Sequence, residues 1–282
     1  MIMKHWRLET RLAGQILRSS VKSRSETIRR SYKLFYNELK WLNDSRMLKG
    51  ISPISQREES VIHLIGKKRK HILEVGSGNG ELIDYLSRHG HECIGTDINT
   101  KRFKAGINPH LQVRAQNGVA IEDLFQSAGF DTVVSLNVLE HFHPDDMEGH
   151  FHNVFITLKR GGEYILKTPH RFFGPHGIER VFGITRSRGL HLKEYTYGDI
   201  REFSDRSGFH RHEAVLMIPM PIRRIVKKMK MDCIIKSRYY MDYLMLIERI
   251  IETLPGDRNR RRASGFFRFF LFPRQVFVVL TK

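Results

Sequence analysis

The sequence Ile72-Leu-Glu-Val-Gly-Ser-Gly-Asn-Gly-Glu-Leu82 predicts a strand, a glycine turn and a helix in succession. Residues 72–75 form a short apolar run typical of a buried strand, and residues 81–88 continue as a helix. Between them, Gly76, Gly78 and Gly80 allow backbone N–H groups to come close to a ligand. The positive end of the following helix dipole favours negative charge at the same place. This stretch therefore predicts a site for a nucleotide-like ligand after the first strand.

The spacing of these glycines separates two classes of nucleotide site. A dinucleotide-binding turn has the pattern G-x-G-x-x-G, whereas this chain reads G-x-G-x-G and carries Glu81 at the position of the last glycine. Glu74, two residues before the first glycine, would repel a pyrophosphate but suits a ligand with an ammonium and a sulfonium group. An NAD(P)-dependent oxidoreductase is therefore disfavoured.

The rest of the chain predicts an α/β fold, because strands alternate with helices. Strands are expected at residues 72–75, 92–97, 111–115, 130–136, 163–167, 210–218 and 275–281. The last two need no helical crossover and are expected to pair as an antiparallel hairpin at the sheet edge. The prediction is a Rossmann-like, doubly wound, mostly parallel seven-stranded sheet with an antiparallel C-terminal strand. In such sheets, ligands bind beyond the carboxyl ends of the strands.

Three regions are expected: a basic helical extension (1–54), a core domain (55–218 with 275–282) and a basic amphipathic insertion (219–274). Apolar residues recur at near-helical spacing over 222–254, and Arg258-Asn-Arg-Arg-Arg262 precedes Phe266-Phe-Arg-Phe-Phe-Leu-Phe272. Two interpretations of the insertion stay open. It is a helical lid over the site, or a basic amphipathic segment that lies on an acidic membrane.

Composition narrows the partners and the compartment. The net charge of +18 indicates an anionic partner, such as nucleic acid, an acidic membrane surface or an acidic substrate. Cys93 and Cys233 are far apart and form neither a disulfide framework nor a metal-binding pattern, so no metal is predicted. No apolar run is long enough to span a membrane, and the basic N-terminus lacks the apolar core of a secretory signal. We expect a cytoplasmic protein, with peripheral membrane contact as an alternative.

Two motifs together resemble a known family. The E-x-G-x-G-x-G run at Glu74–Gly80 is similar to the first motif of the class I S-adenosylmethionine (SAM)-dependent methyltransferases. Asp131-Thr-Val-Val-Ser-Leu-Asn-Val-Leu-Glu-His141 resembles the D-x-V-x-x-x-x-V-L-E-H run of small-molecule members, including the ubiquinone O-methyltransferase-like group. The resemblance covers about residues 55–215 and the final strand. It implies SAM as the cofactor.

The resemblance also implies which residues hold this cofactor. Asp97, at the end of the second strand, is expected to accept both ribose hydroxyls, and Ile98 to pack on the adenine. Asn117 stands where many of these enzymes have an acidic residue for the adenine amino group, which is a departure from the family pattern. The full predicted set is Glu74, Gly76, Ser77, Gly78, Gly80, Asp97, Ile98, Asn117, Asn137 and Val138.

Three histidines are candidates for a general base. A hydroxyl acceptor must lose its proton as the new bond forms, and histidine suits that task near neutral pH. His191 is the first choice, because it lies in the loop before the predicted helix start at Thr196; His141 is second and His170 third. Thr196 and Asp199 themselves form an approximate capping box, which is a structural role. The sequence thus favours methyl transfer to a hydroxyl of a small molecule, a sugar or glycan, or a lipid-linked acceptor.

Two other functions stay open at the level of sequence. The basic charge is also typical of RNA methyltransferases, although Asn137-Val-Leu-Glu140 is not the Asn/Asp-Pro-Pro-Tyr of base-amino enzymes. Neither cysteine stands where a cytosine C5 enzyme needs its nucleophile, so ribose would be the acceptor in RNA. The other alternative is a non-catalytic SAM-binding module.

Overall fold

The computed structural model describes residues 2–39, 56–100, 103, 108–119, 129–218, 228 and 232–282. Its centre is one eight-stranded sheet with the order β3-β2-β1-β4-β5-β8-β6-β7. The strands are β1 (His71–Val75), β2 (Glu92–Asp97), β3 (Leu111–Ala115), β4 (Phe130–Leu136), β5 (Leu158–Pro169), β6 (Arg211–Met217), β7 (Ile234–Ser237) and β8 (Gln275–Thr281). The first five strands are parallel, and β8 runs antiparallel to both β5 and β6.

Helices of the described residues flank the sheet and extend from its ends. They are α1 (Ile2–Leu17), α2 (Val21–Glu38), α3 (Gln56–Ile65), α4 (Glu81–Arg88), α5 (Met147–Thr157), α6 (Tyr197–Ser207), α7 (Arg238–Glu252) and α8 (Asp257–Phe267). Short 3₁₀ turns occur at Leu139–His141, Pro144–Asp146, Arg171–Phe173, Ile178–Phe182 and Arg268–Phe270. Glu140 and His141 lie on the first of these turns, which is separate from α5.

Both faces of the sheet are covered, as the sequence pattern predicts. Side chains alternate between the faces along each strand. Leu73 and Val133 belong to one buried cluster, whereas their neighbours Ile72 and Val134 belong to another. The first cluster also buries the inner face of α7, contributed by Met241, Leu244, Ile247 and Ile251. The predicted fold class is thereby confirmed.

The sheet edge differs from the prediction in one respect. The last two predicted strands do pair antiparallel, as β6 and β8, but β7 adds an eighth strand outside them. Its residues lie inside the stretch that was expected to be helical. The unpaired backbone groups of β6 accept β7 as a ladder partner, and α7 begins only after Ser237, whose side chain caps it. Within the predicted insertion, residues 219–227 and 229–231 lie outside the described residues.

The N-terminal helices pack on the carboxyl-end side of the sheet. Leu12 and Ile16 of α1 and Phe35 of α2 form a buried cluster with Leu190, and Ile98 packs against it. Arg24 of α2, which is buried, pairs with Asp145 at 3.2 Å and with Asp146. This pair ties the extension to the turn before α5. Residues 40–54 of the predicted extension lie outside the described residues.

Candidate active site

The glycine turn lies where the order of the strands reverses within the parallel part of the sheet. β1 has β2 on one side and β4 on the other, so a crevice opens beyond its carboxyl end. Gly76 has a φ of +74°, and a Cβ placed there would lie 2.4 Å from Cγ2 of Val138. The N–H groups of Gly76 and Ser77 both donate to the carbonyl oxygen of Thr96, at 2.7 and 2.9 Å. Only glycine leaves room for Val138 at position 76. The hydrogen bonds to Thr96 join the turn to the end of β2, and the contact with Val138 joins it to the end of β4.

Asp97 holds the same turn from the end of β2. Its Oδ2 accepts the N–H of Gly78 at 2.9 Å, and its Oδ1 accepts the N–H of Asn99 at 2.8 Å. Each carboxylate oxygen can accept a second hydrogen bond, so the predicted ribose contact is compatible with this geometry. Asp97 therefore also has a structural role as a strand-end residue that fixes the turn.

Half of the predicted cofactor residues line one cavity of about 280 Å³. These are Glu74, Gly76, Ser77, Gly78 and Asn137, and they are joined by Glu58, Asn79, Glu81, Leu82, Leu136 and Lys167. Val138 contacts the turn directly, and Gly80, with φ of +89°, precedes α4 as its N-cap. The structure therefore brings most of the predicted set together at the carboxyl edge.

Glu74 gives this cavity an affinity for positive charge. Its carboxyl group is buried, and burial raises its pKa well above the usual range, assisted by the negative charges of Glu58 and Glu81. Within the described ranges, its Oε2 has no hydrogen-bond partner. A buried carboxylate without a partner is costly, and a cationic ligand would offset that cost.

Three other predicted residues have local roles of their own. Asn137 adopts a φ of +56° at the end of β4, and its Oδ1 lies 3.3 Å from Nε2 of Gln275. Asn117 uses its side-chain oxygen to accept the N–H of Val119 at 3.3 Å. Ile98 packs against the cluster formed with α1 and α2. The predicted adenine contacts of Asn117 and Ile98 stay predictions.

Two of the three candidate bases lie side by side. The rings of His141 and His191 are 4.9 Å apart and nearly perpendicular. Nδ1 of His141 donates to the carbonyl oxygen of Leu190 at 2.8 Å, and Nδ1 of His191 lies 3.5 Å from Oε1 of Glu194. His141 is thus fixed by the loop that carries His191.

Carboxylates surround this histidine pair and change its acid–base behaviour. Burial by itself would lower the pKa of His191, but the carboxylates of Glu194 and Glu140 outweigh it and raise this pKa. Burial likewise opposes ionisation of Glu194, yet His176 and His191 bring its pKa down to about 2. Glu194 is therefore ionised at neutral pH and attracts a proton to His191.

Two further groups at the pair were not predicted as site residues. Glu140 is buried, which raises its pKa to about 7, and its Oε2 accepts a hydrogen bond from Oγ1 of Thr168 at 3.0 Å. Ligand-capable atoms of Glu140, His141 and His191 lie within 4.8 Å of one another, a spacing that a metal ion could use. Tyr32 of α2 places its ring 6.2 Å from that of His141. No motif marks Tyr32, because α2 reaches the site only through tertiary packing.

His170 lies in a different environment from the other two histidines. It is fully buried, its Nε2 lies 2.8 Å from Oε1 of Glu248, and its Nδ1 accepts the N–H of Phe172. Glu248 also accepts the N–H groups of Tyr197 and Gly198, at 2.6 and 2.9 Å, at the start of α6. Both ring nitrogens of His170 are thus engaged: Nε2 links the end of β5 to α7 through Glu248, and Nδ1 caps the turn Arg171–Phe173. At the start of α6, Thr196 and Asp199 form the predicted capping box.

This sheet order, with its glycine turn, acidic strand ends and antiparallel strand next to β5, defines a class I methyltransferase. The family model described as a methyltransferase domain matches residues 46–213, which is more than half of the chain. The chain belongs to this family of SAM-dependent methyltransferases.

Individual relatives agree with this assignment. The ubiquinone biosynthesis O-methyltransferase of Coxiella burnetii (strain Dugway 5J108-111) is 26% identical over 192 residues, covering 61% of this chain and 81% of that protein. The protein of the same name from Acinetobacter baumannii (strain AYE) is 28% identical over 189 residues, covering 55% and 77%. The fold is similar to a crystal structure of a SAM-dependent methyltransferase from Archaeoglobus fulgidus, with a TM-score of 0.52 and 15% identity over 89% of this chain and 99% of that one.

SAM is the cofactor of this family, and the residues present fit it. Its sulfonium and ammonium groups are cations, and the cavity beside the glycine turn contains the buried Glu74 carboxyl, one oxygen of which lacks a partner among the residues that the structure describes. The turn itself is free of side chains at Gly76, Gly78 and Gly80. An anionic ligand would add repulsion to the cost of burying Glu74, whereas the cations of SAM would offset that cost.

Proposed function

We propose that the protein transfers a methyl group to a hydroxyl of a small molecule, a sugar or glycan, or a lipid-linked acceptor. The observation that carries this proposal is the His191–Glu194 pair beside His141 at the carboxyl edge of the sheet. Because Nδ1 of His191 faces Glu194, its Nε2 is the nitrogen that accepts a proton from the acceptor hydroxyl. The relatives named as ubiquinone biosynthesis O-methyltransferases support oxygen as the acceptor atom.

The division of work between cofactor and protein follows from the chemistry. Bound SAM supplies an electrophilic methyl group whose departure needs no acid. The residues of this chain hold the cofactor at the glycine turn and orient the acceptor, which makes the step effectively intramolecular. His191 removes the hydroxyl proton, and Glu194 stabilises the imidazolium that results.

Replacement of His191 tests the assignment of the base. We expect His191→Ala to lower turnover about 100-fold, the scale of lost general-base catalysis, while SAM affinity measured by calorimetry stays near that of the wild type. His110→Ala is the matched control, because His110 is exposed and lies at the start of β3, at the opposite end of the sheet. Near-full activity of His191→Ala would remove His191 from the mechanism. Methylation of RNA, but of no small hydroxyl compound, would instead favour the nucleic-acid alternative.

We also propose that the protein contacts acidic membranes peripherally. Tyr239, Tyr243 and Leu246 of α7 are exposed, and the end of α8 with the segment that follows it exposes Phe266, Phe269, Phe270 and Leu271, with Phe269 at 87%. The two groups meet where the hydroxyl of Tyr243 donates to the carbonyl oxygen of Phe270 at 2.7 Å. Arg262 and Arg268 are exposed along the same helix and turn. Aromatic side chains beside arginines favour the interface of an anionic bilayer.

Vesicle co-sedimentation tests this contact. We expect the chain to sediment with phosphatidylglycerol vesicles and only weakly with phosphatidylcholine vesicles, and Phe269→Ser with Phe270→Ser to reduce the bound fraction. Val21→Ser is the control, since Val21 is 77% exposed but lies at the start of α2. Equal loss in both variants, or no binding to either vesicle, would contradict the proposal. No helix among the described residues is long and apolar enough to cross a membrane.

A further inference from the structure

A second cavity, of about 370 Å³, is separate from the glycine turn, and five of its thirteen lining residues carry positive charge. Its walls come from the turn after β5, from residues 185–187 and 192–194 on either side of His191, and from the first half of α8. The cationic side chains that line it are Arg171, Arg186, Lys193, Arg260 and Arg261. Only Glu194 and Asp257 of the lining carry negative charge. The cavity therefore has a clear excess of positive charge.

Several of these cations are held in place by fixed partners. Nε of Arg186 donates to Oδ2 of Asp257 at 2.9 Å, and Arg171 pairs with Glu252. Arg260 donates to the carbonyl oxygens of Leu254 and Glu252, at 3.0 and 3.1 Å. The first contact joins residues 185–187 to α8, and the others join the turn after β5 and α8 to the end of α7.

Lys193 and Arg261 differ from the other three, because neither has a carboxylate partner among the residues that the structure describes. Nζ of Lys193 lies 5.2 Å from the centre of the Tyr195 ring, and Arg261 donates one hydrogen bond, to the carbonyl oxygen of Thr185 at 3.4 Å. A guanidinium has five N–H donors and an ammonium three. Most donors of both side chains thus remain for a ligand.

The cavity shares a wall with the histidine pair. Glu194 lines it and also faces His191, while the neighbouring N–H groups of Leu192 and Lys193 donate to the carbonyl oxygen of Glu140. His176 and His191 stabilise the negative charge of Glu194. Nδ1 of His176 lies 3.1 Å from Oε1 of Glu194, and Nδ1 of His191 faces the same oxygen. An anion in the cavity would therefore lie next to His191, the proposed site of proton transfer. The two histidines beside Glu194 reduce the repulsion between its carboxylate and that anion.

We propose that this cavity binds the phosphate group of a phosphorylated acceptor, an inference that rests on the proposed methyl transfer. A phosphate carries more charge and more acceptor oxygens than a carboxylate, and arginine and lysine are the side chains that bind it. Lys193 and Arg261 contact the phosphate, and Arg171, Arg186 and Arg260 supply the surrounding positive field. The acceptor hydroxyl on the same molecule then reaches His191.

Titration of the full chain with inorganic phosphate and pyrophosphate tests the site. Calorimetry at low ionic strength should detect binding that is about tenfold weaker in Lys193→Gln and in Arg261→Gln, since each loses a charge-assisted hydrogen bond. Arg258→Gln is the matched control. This variant removes one positive charge from α8, the helix that also carries Arg261. Arg258 is exposed, however, and does not line the cavity. Thermal melting should confirm that all three variants are folded.

Two results would overturn the phosphate site. Equal weakening in Arg258→Gln would mean that net charge, and not this cavity, attracts the anion. Acetate binding as tight as phosphate binding would assign the cavity to a carboxylate. SAM titration of the same samples separates this inference from the proposed function: SAM binding without phosphate binding overturns only the phosphate site, whereas phosphate binding without SAM binding overturns the methyl transfer on which it rests.

Discussion

Glu140 illustrates, at the scale of one residue, how burial changes the chemistry of a side chain. Its carboxyl group is 1% exposed, and the hydroxyl of Thr168 is its hydrogen-bond donor. Burial disfavours the charged form, so its pKa is raised from 4.5 to about 7. The group therefore carries a proton in the folded protein under conditions where it would have lost that proton in the unfolded chain.

This shift predicts a pH dependence of stability. The contribution of Glu140 is fully present below about pH 4.5 and is lost as the pH rises to about 7, because the folded chain retains a proton that the unfolded chain has released. The loss is up to about 3 kcal/mol. Glu140→Gln retains an oxygen that accepts from Thr168 but does not titrate. We expect its free energy of unfolding, relative to wild type, to increase across this pH range in urea titrations. Parallel pH profiles for the two proteins would disprove the raised pKa.

At the scale of an element, two glycines with the same backbone conformation differ in what surrounds them. Gly76 and Gly66 have nearly the same φ, +74° and +76°. A Cβ on Gly76 would meet Val138, whereas a Cβ on Gly66 would have nothing within 4 Å. A substitution at Gly66 therefore tests backbone strain alone. A substitution at Gly76 tests the same strain together with the contact between the glycine turn and Val138.

Alanine at each position measures these two effects. We expect Gly66→Ala to cost about 1 kcal/mol of stability, the usual price of a left-handed conformation for a residue with a Cβ, and to leave SAM binding unchanged. Gly76→Ala should cost more and should also weaken SAM binding, because Val138 must move away from the turn. Equal effects of the two substitutions on melting and on SAM affinity would show that the contact with Val138 has no role.

α7 is joined to the core by a buried acid as well as by apolar side chains. Glu248 contacts His170 and two N–H groups at the start of α6, where negative charge is favoured by the helix dipole. Glu252, one turn further along α7, pairs with Arg171 at the surface. The same helix thus carries a buried and an exposed carboxylate.

Removal of each carboxylate should have very different consequences. Glu248→Ala leaves His170 and the start of α6 without their acceptor, and we expect it to cost about 3 kcal/mol of stability. Glu252→Ala breaks an exposed pair and should cost less than about 1 kcal/mol. Chemical denaturation of both variants provides the comparison. A small effect of Glu248→Ala would mean that the apolar face of α7 suffices to hold it.

The N-terminal extension and the core form one site at the scale of the whole molecule. Tyr32 of α2 reaches the histidine pair, and Ile98 of the core packs among the side chains of α1 and α2. The buried Arg24 links α2 to Asp145 and Asp146. Arg29, on the same helix, pairs with Glu26 at the surface.

These two arginines allow a test of how the extension is held. Arg24→Ala leaves two carboxylates without their partner, and we expect limited proteolysis within residues 2–39 to become about tenfold faster, as the open form becomes more populated. Turnover should fall with it, because Tyr32 moves away from His141. Arg29→Ala should change neither rate. Unchanged cleavage of Arg24→Ala would indicate that apolar packing alone holds the extension.

Local sequence was sufficient for the fold and for the cofactor half of the site. Strand periodicity, the glycine turn and Asp97 are short-range signals, since hydrophobic alternation and positive φ act within a few residues. The parallel topology then requires the strand ends after β1, β2 and β4 to meet. These motifs carry the family resemblance that implies Glu74, Gly76, Ser77, Gly78 and Asn137 as cofactor residues, and all five line one cavity.

Contacts between distant segments decided the other half. His170 and His191 look equivalent in the sequence, but packing against α7 gives one of them to Glu248 and leaves the other beside His141. Tyr32, Arg261 and the edge strand β7 depend likewise on which surfaces meet after folding. Hydrophobic patterning specifies which face of an element is buried, but not the distant side chain that the buried face will contact. The family and cofactor were therefore indicated by local pattern, whereas the surroundings of the candidate bases, the lining of the second cavity and the placement of the N-terminal helices came from tertiary packing.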